Sequence, residues 1–252
     1  MLERPQRWPT PGTLVRSVED TTLRLPRLVC LHGGGTNARI SRSQCRALRV
    51  QLGPFFRLVL AEAPFYTTPG PDVSVYEKWG PFRAWFPPGY ATGGSGSGAV
   101  PISGSPIASR IVLSSFEKSI EAAMEHDNGV GGTGTWIGLL GLSQGAKMAA
   151  SLLLKQQNNC HTLQKTIDYR FAILLAGRAP LVSLSLQDEL SFAASDLGGY
   201  EPALHLHMST IHCGSARLVE WDGGHRVPIR SRDVVTVVDA ILDIAQETGV
   251  IE

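Results

Sequence analysis

One serine in this sequence stands where a nucleophile would. Gly141-Leu142-Ser143-Gln144-Gly145 sets Ser143 between glycines two residues away on each side. That is the spacing of a turn in which a strand runs directly into a helix and lifts a hydroxyl clear of the sheet. The flanks agree: Trp136 to Leu140 is an apolar strand, and Ala146 to Lys155 is a run of strong helix formers. At a helix N-terminus the local field also favours a developing oxyanion. A serine hydroxyl does not ionise near neutral pH, so it needs a base. Seven histidines compete for that role. His126 and His161 lie in polar helix-end or loop stretches, His205 and His207 alternate in a short strand, and His212 is in a loop. His225 differs: it follows the strand Arg217–Trp221 through Asp222-Gly223-Gly224, near the C-terminus. Folds with this serine turn carry their base last in chain order, so His225 is the expected base.

Acyl transfer to a serine also needs two N–H donors for the oxyanion. The backbone of Gln144, the residue after the nucleophile, supplies one. The other is expected from the loop after an early strand, here His32-Gly33-Gly34-Gly35-Thr36, where missing side chains let the backbone approach a substrate oxygen. Gly34 and Gly35 are both candidates.

The surrounding pattern supplies a scaffold for these residues. Leu28–Leu31, Leu58–Ala61, Trp136–Leu140 and Phe171–Leu175 are short apolar runs, as buried parallel strands require. Ala203–His207 and Arg217–Trp221 are shorter candidates. Helices are expected over 38–52, over 107–126 (stripe Ile107, Ile111, Val112, Phe116, Ile120, Met124), and from Ser231 to Thr248. In the last, Ser231 is the expected N-cap, Gly249 the stop, and Val234, Val235, Val238, Ile241, Leu242 and Ala245 the buried stripe. Strands alternating with helices predict a single α/β domain over 1–252, a mostly parallel sheet with helices on both faces. Residues 1–25 read as a loose leader and 87–106 as a flexible Gly/Ser-rich insert. The aromatic stretch 64–90 is expected either to help form an acyl pocket or to pack its loop onto the core.

Charge excludes several functions. With 23 basic and 22 acidic side chains the formal net charge is +1, and no basic run marks a nucleic-acid or membrane surface. No stretch approaches the ~18 apolar residues of a membrane span. The first residues do not read as a signal peptide, and the cysteines show no CxxC spacing, so a cytoplasmic protein without disulfides is expected. No cofactor or nucleotide motif is present. His205, His207 and His212 lack the carboxylates or cysteines that would complete a zinc set, so no metal is expected.

The sequence resembles the fungal serine hydrolases of the FSH type, within the α/β-hydrolase superfamily. The resemblance rests on Leu31-His32-Gly33-Gly34-Gly35-Thr36-Asn37-Ala38-Arg39-Ile40, on Gly80-Pro81-Phe82-Arg83-Ala84-Trp85, on Gly141–Ala146, on Leu174–Pro180 and on Val219–Pro228. It implies hydrolysis of a small-molecule acyl ester or thioester, and often release of a polyketide from the acyl carrier protein of a polyketide synthase. An acyltransferase using the same serine, or a non-catalytic binding protein on the same fold, are the competing readings.

The chain departs from the family pattern in one place. The family continues past the strand matching Ala203–His207 with a Gly-x-x-Asp-Pro turn bearing the triad acid. This sequence has no acid between His207 and Glu220. The nine residues Met208–Ala216 are also fewer than the dozen or so that a parallel crossover takes. Either the two strands are joined in an unusual way or a segment is missing between them; Asp188, after the strand Phe171–Leu175, is then the first candidate to orient His225, followed by Asp196, and a site with no acid at all is the remaining reading. Asp222 is three residues from His225, too near along the chain to approach its far nitrogen.

Overall fold

A computed structural model describes residues 20–70, 73–88, 106–158, 167–177, 205–210 and 215–252. Eight strands occur among them: β1 (Arg27–Leu31), β2 (Arg57–Ala61), β3 (Phe65–Thr67), β4 (Phe82–Ala84), β5 (Trp136–Leu142), β6 (Phe171–Leu175), β7 (His205–Thr210) and β8 (Ser215–Glu220). Five helices accompany them: α1 (Ala38–Gln44), α2 (Arg46–Leu52), α3 (Pro106–Gly129), α4 (Gln144–Asn158) and α5 (Ser231–Glu247). Six strands form one sheet in the order β2-β1-β5-β6-β7-β8, and β3 pairs with β4 separately.

The two faces of the sheet follow from strand alternation. Leu28 and Cys30 of β1, with Leu140, Phe171 and Ile173, meet Leu48 and Leu52 of α2 and the buried side of α5. Val29 and Leu31, with Leu139 and Ala172, meet α3 and α4 on the other side. On α3 the buried apolar residues are Val112, Phe116, Ile120 and Met124, one every four residues; Ile111 is exposed and Ile107 lies outside the described side chains. On α5 the buried side is Val234, Val237, Val238, Ile241, Ile244 and Ala245, so Val235 of the expected stripe faces solvent. The N-cap of α5 is Arg230 rather than Ser231, with no side-chain capping bond, while Gly249 just past the end adopts φ +67, as a glycine stop requires.

Two further expectations are corrected. The helix over 38–52 is two helices broken at Cys45. Asn37 caps α1 by accepting from the Ile40 N–H, α1 packs on the 3-10 turn Ser74–Trp79, and α2 packs on α5. One straight helix could not meet both partners. Residues 20–25, expected within a loose leader, form a turn fixed by Thr133 N–H donating to Leu23 C=O at 2.7 Å and by the Asp20–Arg57 ion pair. The rest of the expected leader, and residues 89–105 of the expected insert, lie outside the described residues.

The sheet is parallel from β2 through β6, but β7 runs antiparallel to both β6 and β8. The short link resolves itself physically. With too few residues between them for a parallel crossover, β7 and β8 pair antiparallel, Thr210 opposite Ser215. Reversing β7 leaves β8 parallel to β6, so the carboxyl ends of β1, β5, β6 and β8 all reach one edge of the sheet.

Candidate active site

The loops at that edge meet in a cleft of about 420 Å³ lined by Gly33, Gly34, Ser143 and His225, among others. Ligand sites of open α/β sheets sit at this edge. Ser143 joins β5 to α4 in the left-handed region, φ 53. For a residue with a Cβ this conformation costs about 1–2 kcal/mol. It is held there because Ser143 N–H donates to Leu175 C=O at 2.8 Å and Ser143 C=O accepts from Ala146 N–H at 3.0 Å. The flanking glycines are a packing necessity. A Cβ on Gly145 would stand 2.1 Å from Leu31 O, and one on Gly141 would stand 2.4 Å from Gly145 O. The motif lets α4 start directly against β1 and β5, which is what lifts Ser143 out.

His225 arrives from β8, as the sequence predicts, and its Nε2 lies 2.8 Å from Ser143 Oγ. Trp221, at the start of this loop, is buried in the core and donates from Nε1 to Arg226 C=O at 3.2 Å, closing the loop around His225. Gln144 opens α4, so its backbone N–H belongs to the first turn, where helical amides have no intrahelical acceptor. Its side-chain Oε1 accepts from Trp85 N–H at 2.7 Å.

The geometry separates the two glycine candidates. Gly35 N–H already donates to Arg83 C=O at 2.9 Å, and Gly35, at φ +70, packs its Cα against the Gly70 backbone. Gly35 is therefore a structural turn residue. Gly34 lines the cleft, and among the described residues its N–H has no protein acceptor.

Asp188 and Asp196 lie outside the described residues. Asp222 is highly exposed, and its Oδ2 faces Arg230 Nη1 at 3.4 Å at the surface. The aromatic stretch divides between its two expected roles. Trp85 and Phe86 are buried in the core with α3, whereas Tyr76 lines the cleft; Tyr90 lies outside the described residues. His126 is exposed. Two buried thiols, Cys30 and Cys45, offer no competing nucleophile: burial raises both, Cys45 to about 11 and Cys30 further still.

A family model described as serine hydrolase (FSH1) matches residues 22–237. The chain belongs to this family. The serine hydrolase is 42% identical to the esterase pigG of Monascus ruber, over 94% of this chain and 97% of that protein. It is 41% identical to the probable esterase tazC of Aspergillus terreus, over 93% and 98%, and 40% identical to the esterase citA of Monascus ruber, over 92% and 97%. The alignments with the pigG and tazC proteins run over 277 and 271 positions, more than the 252 residues of this chain. Each of those relatives therefore carries residues within the aligned stretch that have no counterpart here.

Sequence reasoning missed His32. It is fully buried, with Nδ1 2.8 Å from Gly33 O and Nε2 accepting from Ala63 N–H at 3.0 Å. Its place at the end of β1, immediately before the glycines, was the available signal.

Proposed function

We propose that this serine hydrolase cleaves an acyl ester or thioester. Ser143 Oγ attacks the acyl carbonyl as His225 Nε2 takes its proton. The oxyanion rests on Gln144 N–H and Gly34 N–H, and His225 then returns the proton to the leaving alcohol or thiol. Water, deprotonated by His225, releases the acid. The observation that carries this reading is the 2.8 Å contact between His225 Nε2 and Ser143 Oγ at the mouth of a cleft. The acid that orients His225 is drawn, in this reading, from the segment between β6 and β7, with Asp188 first. The names of the relatives support an esterase, and a polyketide acyl chain is the substrate class the family resemblance suggests. We place the reaction in the cytoplasm.

The wild-type protein should hydrolyse short p-nitrophenyl esters and an N-acetylcysteamine thioester, and be labelled by a fluorophosphonate. Free acid should remain the product when an alcohol is added in excess. Transesterified product would replace the hydrolase reading with an acyltransferase. Folded protein with neither turnover nor labelling would leave only a binding role.

An acyl carrier protein is the proposed donor where the substrate is a thioester. Between Asp20 and Glu62 the sequence has no acidic residue. Arg39, Arg42 and Arg46 are exposed on α1 and α2, and Arg46 lines the cleft. Such a one-signed face steers an acidic partner. Arg39→Glu with Arg42→Glu should raise KM for a carrier-bound thioester about tenfold at low salt, with KM for the N-acetylcysteamine thioester unchanged. Equal effects on both substrates, or none, would remove the carrier from the proposal.

A further inference from the structure

The Gly33–Gly34 peptide is gripped from behind. Its carbonyl oxygen, Gly33 O, accepts from Thr36 Oγ1 at 2.6 Å and lies 2.8 Å from His32 Nδ1. Both side chains are buried. The partners of His32 fix which nitrogen carries the proton. Ala63 N–H points at Nε2 at 3.0 Å, which excludes the neutral ring protonated on Nε2 alone. In the neutral ring compatible with that bond, Nδ1 is the protonated nitrogen. If Nε2 is also protonated, it turns to Glu62 Oε1, 3.0 Å away, and Nδ1 still donates. Either way Nδ1 is a donor, facing both Gly33 O at 2.8 Å and Thr36 Oγ1 at 3.0 Å, while the Thr36 hydroxyl donates to Gly33 O, so the two side chains grip the carbonyl as one unit.

A trans peptide is planar, and its C=O and N–H point in opposite directions. Anchoring Gly33 O on Thr36 and His32 therefore turns Gly34 N–H the other way, to the cleft side. There a Cβ on Gly33 would be 3.6 Å from Ser143 Cβ, and one on Gly34 3.0 Å from the Gln144 side chain. The rest of the loop is pinned separately, by Gly35 N–H to Arg83 C=O and by Gly70 N–H to Gly35 C=O, both at 2.9 Å. The orientation of this one peptide thus depends on the Thr36 hydroxyl and the His32 imidazole.

We infer that Thr36 and His32 are positioning residues for the oxyanion site: by holding Gly33 C=O they keep Gly34 N–H aimed where the tetrahedral oxygen forms. The inference rests on the reading of Ser143 as nucleophile. A flipped or loosened peptide presents a carbonyl, not a donor, to the oxyanion, so the effect falls on the transition state and not on ground-state binding.

Thr36→Val keeps the shape and removes the hydroxyl; Thr36→Ser keeps the hydroxyl. The assay is steady-state hydrolysis of a p-nitrophenyl ester, together with inhibition by an alkylboronic acid, which forms a tetrahedral adduct on the serine. Thr36→Val should lower kcat about 10- to 100-fold, short of the ~10²–10³ lost with a whole donor. KM should stay within about twofold, and the boronate should bind more weakly by a factor close to the fall in kcat. Thr36→Ser should restore both. If Thr36→Val fails to fold, Thr36→Ala makes the same comparison. Unchanged kcat in a folded Thr36→Val or Thr36→Ala, or losses that Thr36→Ser does not rescue, would overturn the inference. Failure of the underlying reading looks different: the wild type would bind no boronate, or Ser143→Ala would retain turnover.

Discussion

Ser143→Ala should lower kcat for a p-nitrophenyl ester by about 10⁵–10⁶, with the melting temperature close to wild type. The expected effect is large because, among the described residues, Ser143 is the hydroxyl that His225 Nε2 contacts at the cleft. The Thr36 hydroxyl, the nearest alternative on the glycine loop, is spent on Gly33 C=O. The Cys30 and Cys45 thiols are buried and protonated. Alanine keeps the Cβ that the φ 53 turn already accommodates, so the fold should not register the change. His225→Ala should cost a similar factor, and the double variant little more than either single one. Two groups that act as one nucleophile–base unit lose their joint contribution once. The measurement is a single-substrate kcat series with circular dichroism on each variant. A Ser143→Ala protein retaining more than a few per cent of wild-type turnover would dispose of the nucleophile, and additive losses would show that the pair does not work as a unit.

What could be read from the sequence is what short-range physics dictates. The apolar runs of β1, β5 and β6 are almost wholly buried and β2 is half-buried, and each appears within a residue or two of its expected place. The serine turn is legible because its glycines are forced by backbone contacts of 2.1 and 2.4 Å, distances at which no side chain survives. Contacts between distant segments were not legible. The break at Cys45 depends on what packs against each half of 38–52. The choice between Gly34 and Gly35 depends on Arg83, nearly fifty residues away, whose carbonyl engages Gly35 N–H. His32 and Thr36 gain their meaning only when the Gly33 carbonyl is seen between them. The short link after β7 was visible as a contradiction, and its solution, a reversed strand, was not.

That reversal bears on the proposed source of an acid for His225. In a parallel arrangement the carboxyl end of β7 would lie at the cleft, and an acid after it would face His225. Here β7 pairs Leu206 with Leu175, the last residue of β6, and His205 with Glu220, the last residue of β8. The amino end of β7 is therefore at the cleft edge, and its last residue, Thr210, is at the opposite edge, about 17 Å away along a strand of this length. An acid inserted after Thr210 could not reach His225. The segment joining Leu175 to His205, by contrast, leaves the sheet and re-enters it at the cleft edge. Its acids are Asp188, Glu189, Asp196 and Glu201. One amide variant in that set, Asp188→Asn first and Asp196→Asn next, should lower kcat by about 10⁴, because an imidazole without its carboxylate loses the correct tautomer and the stabilised imidazolium. Labelling of Ser143 by a fluorophosphonate should slow in the same variant. Asp222→Asn should stay near wild type, since that carboxylate faces Arg230 at the surface. Full activity in all four segment variants would show that no acid between β6 and β7 serves His225. The relatives' additional internal residues would then be the next place to look for one.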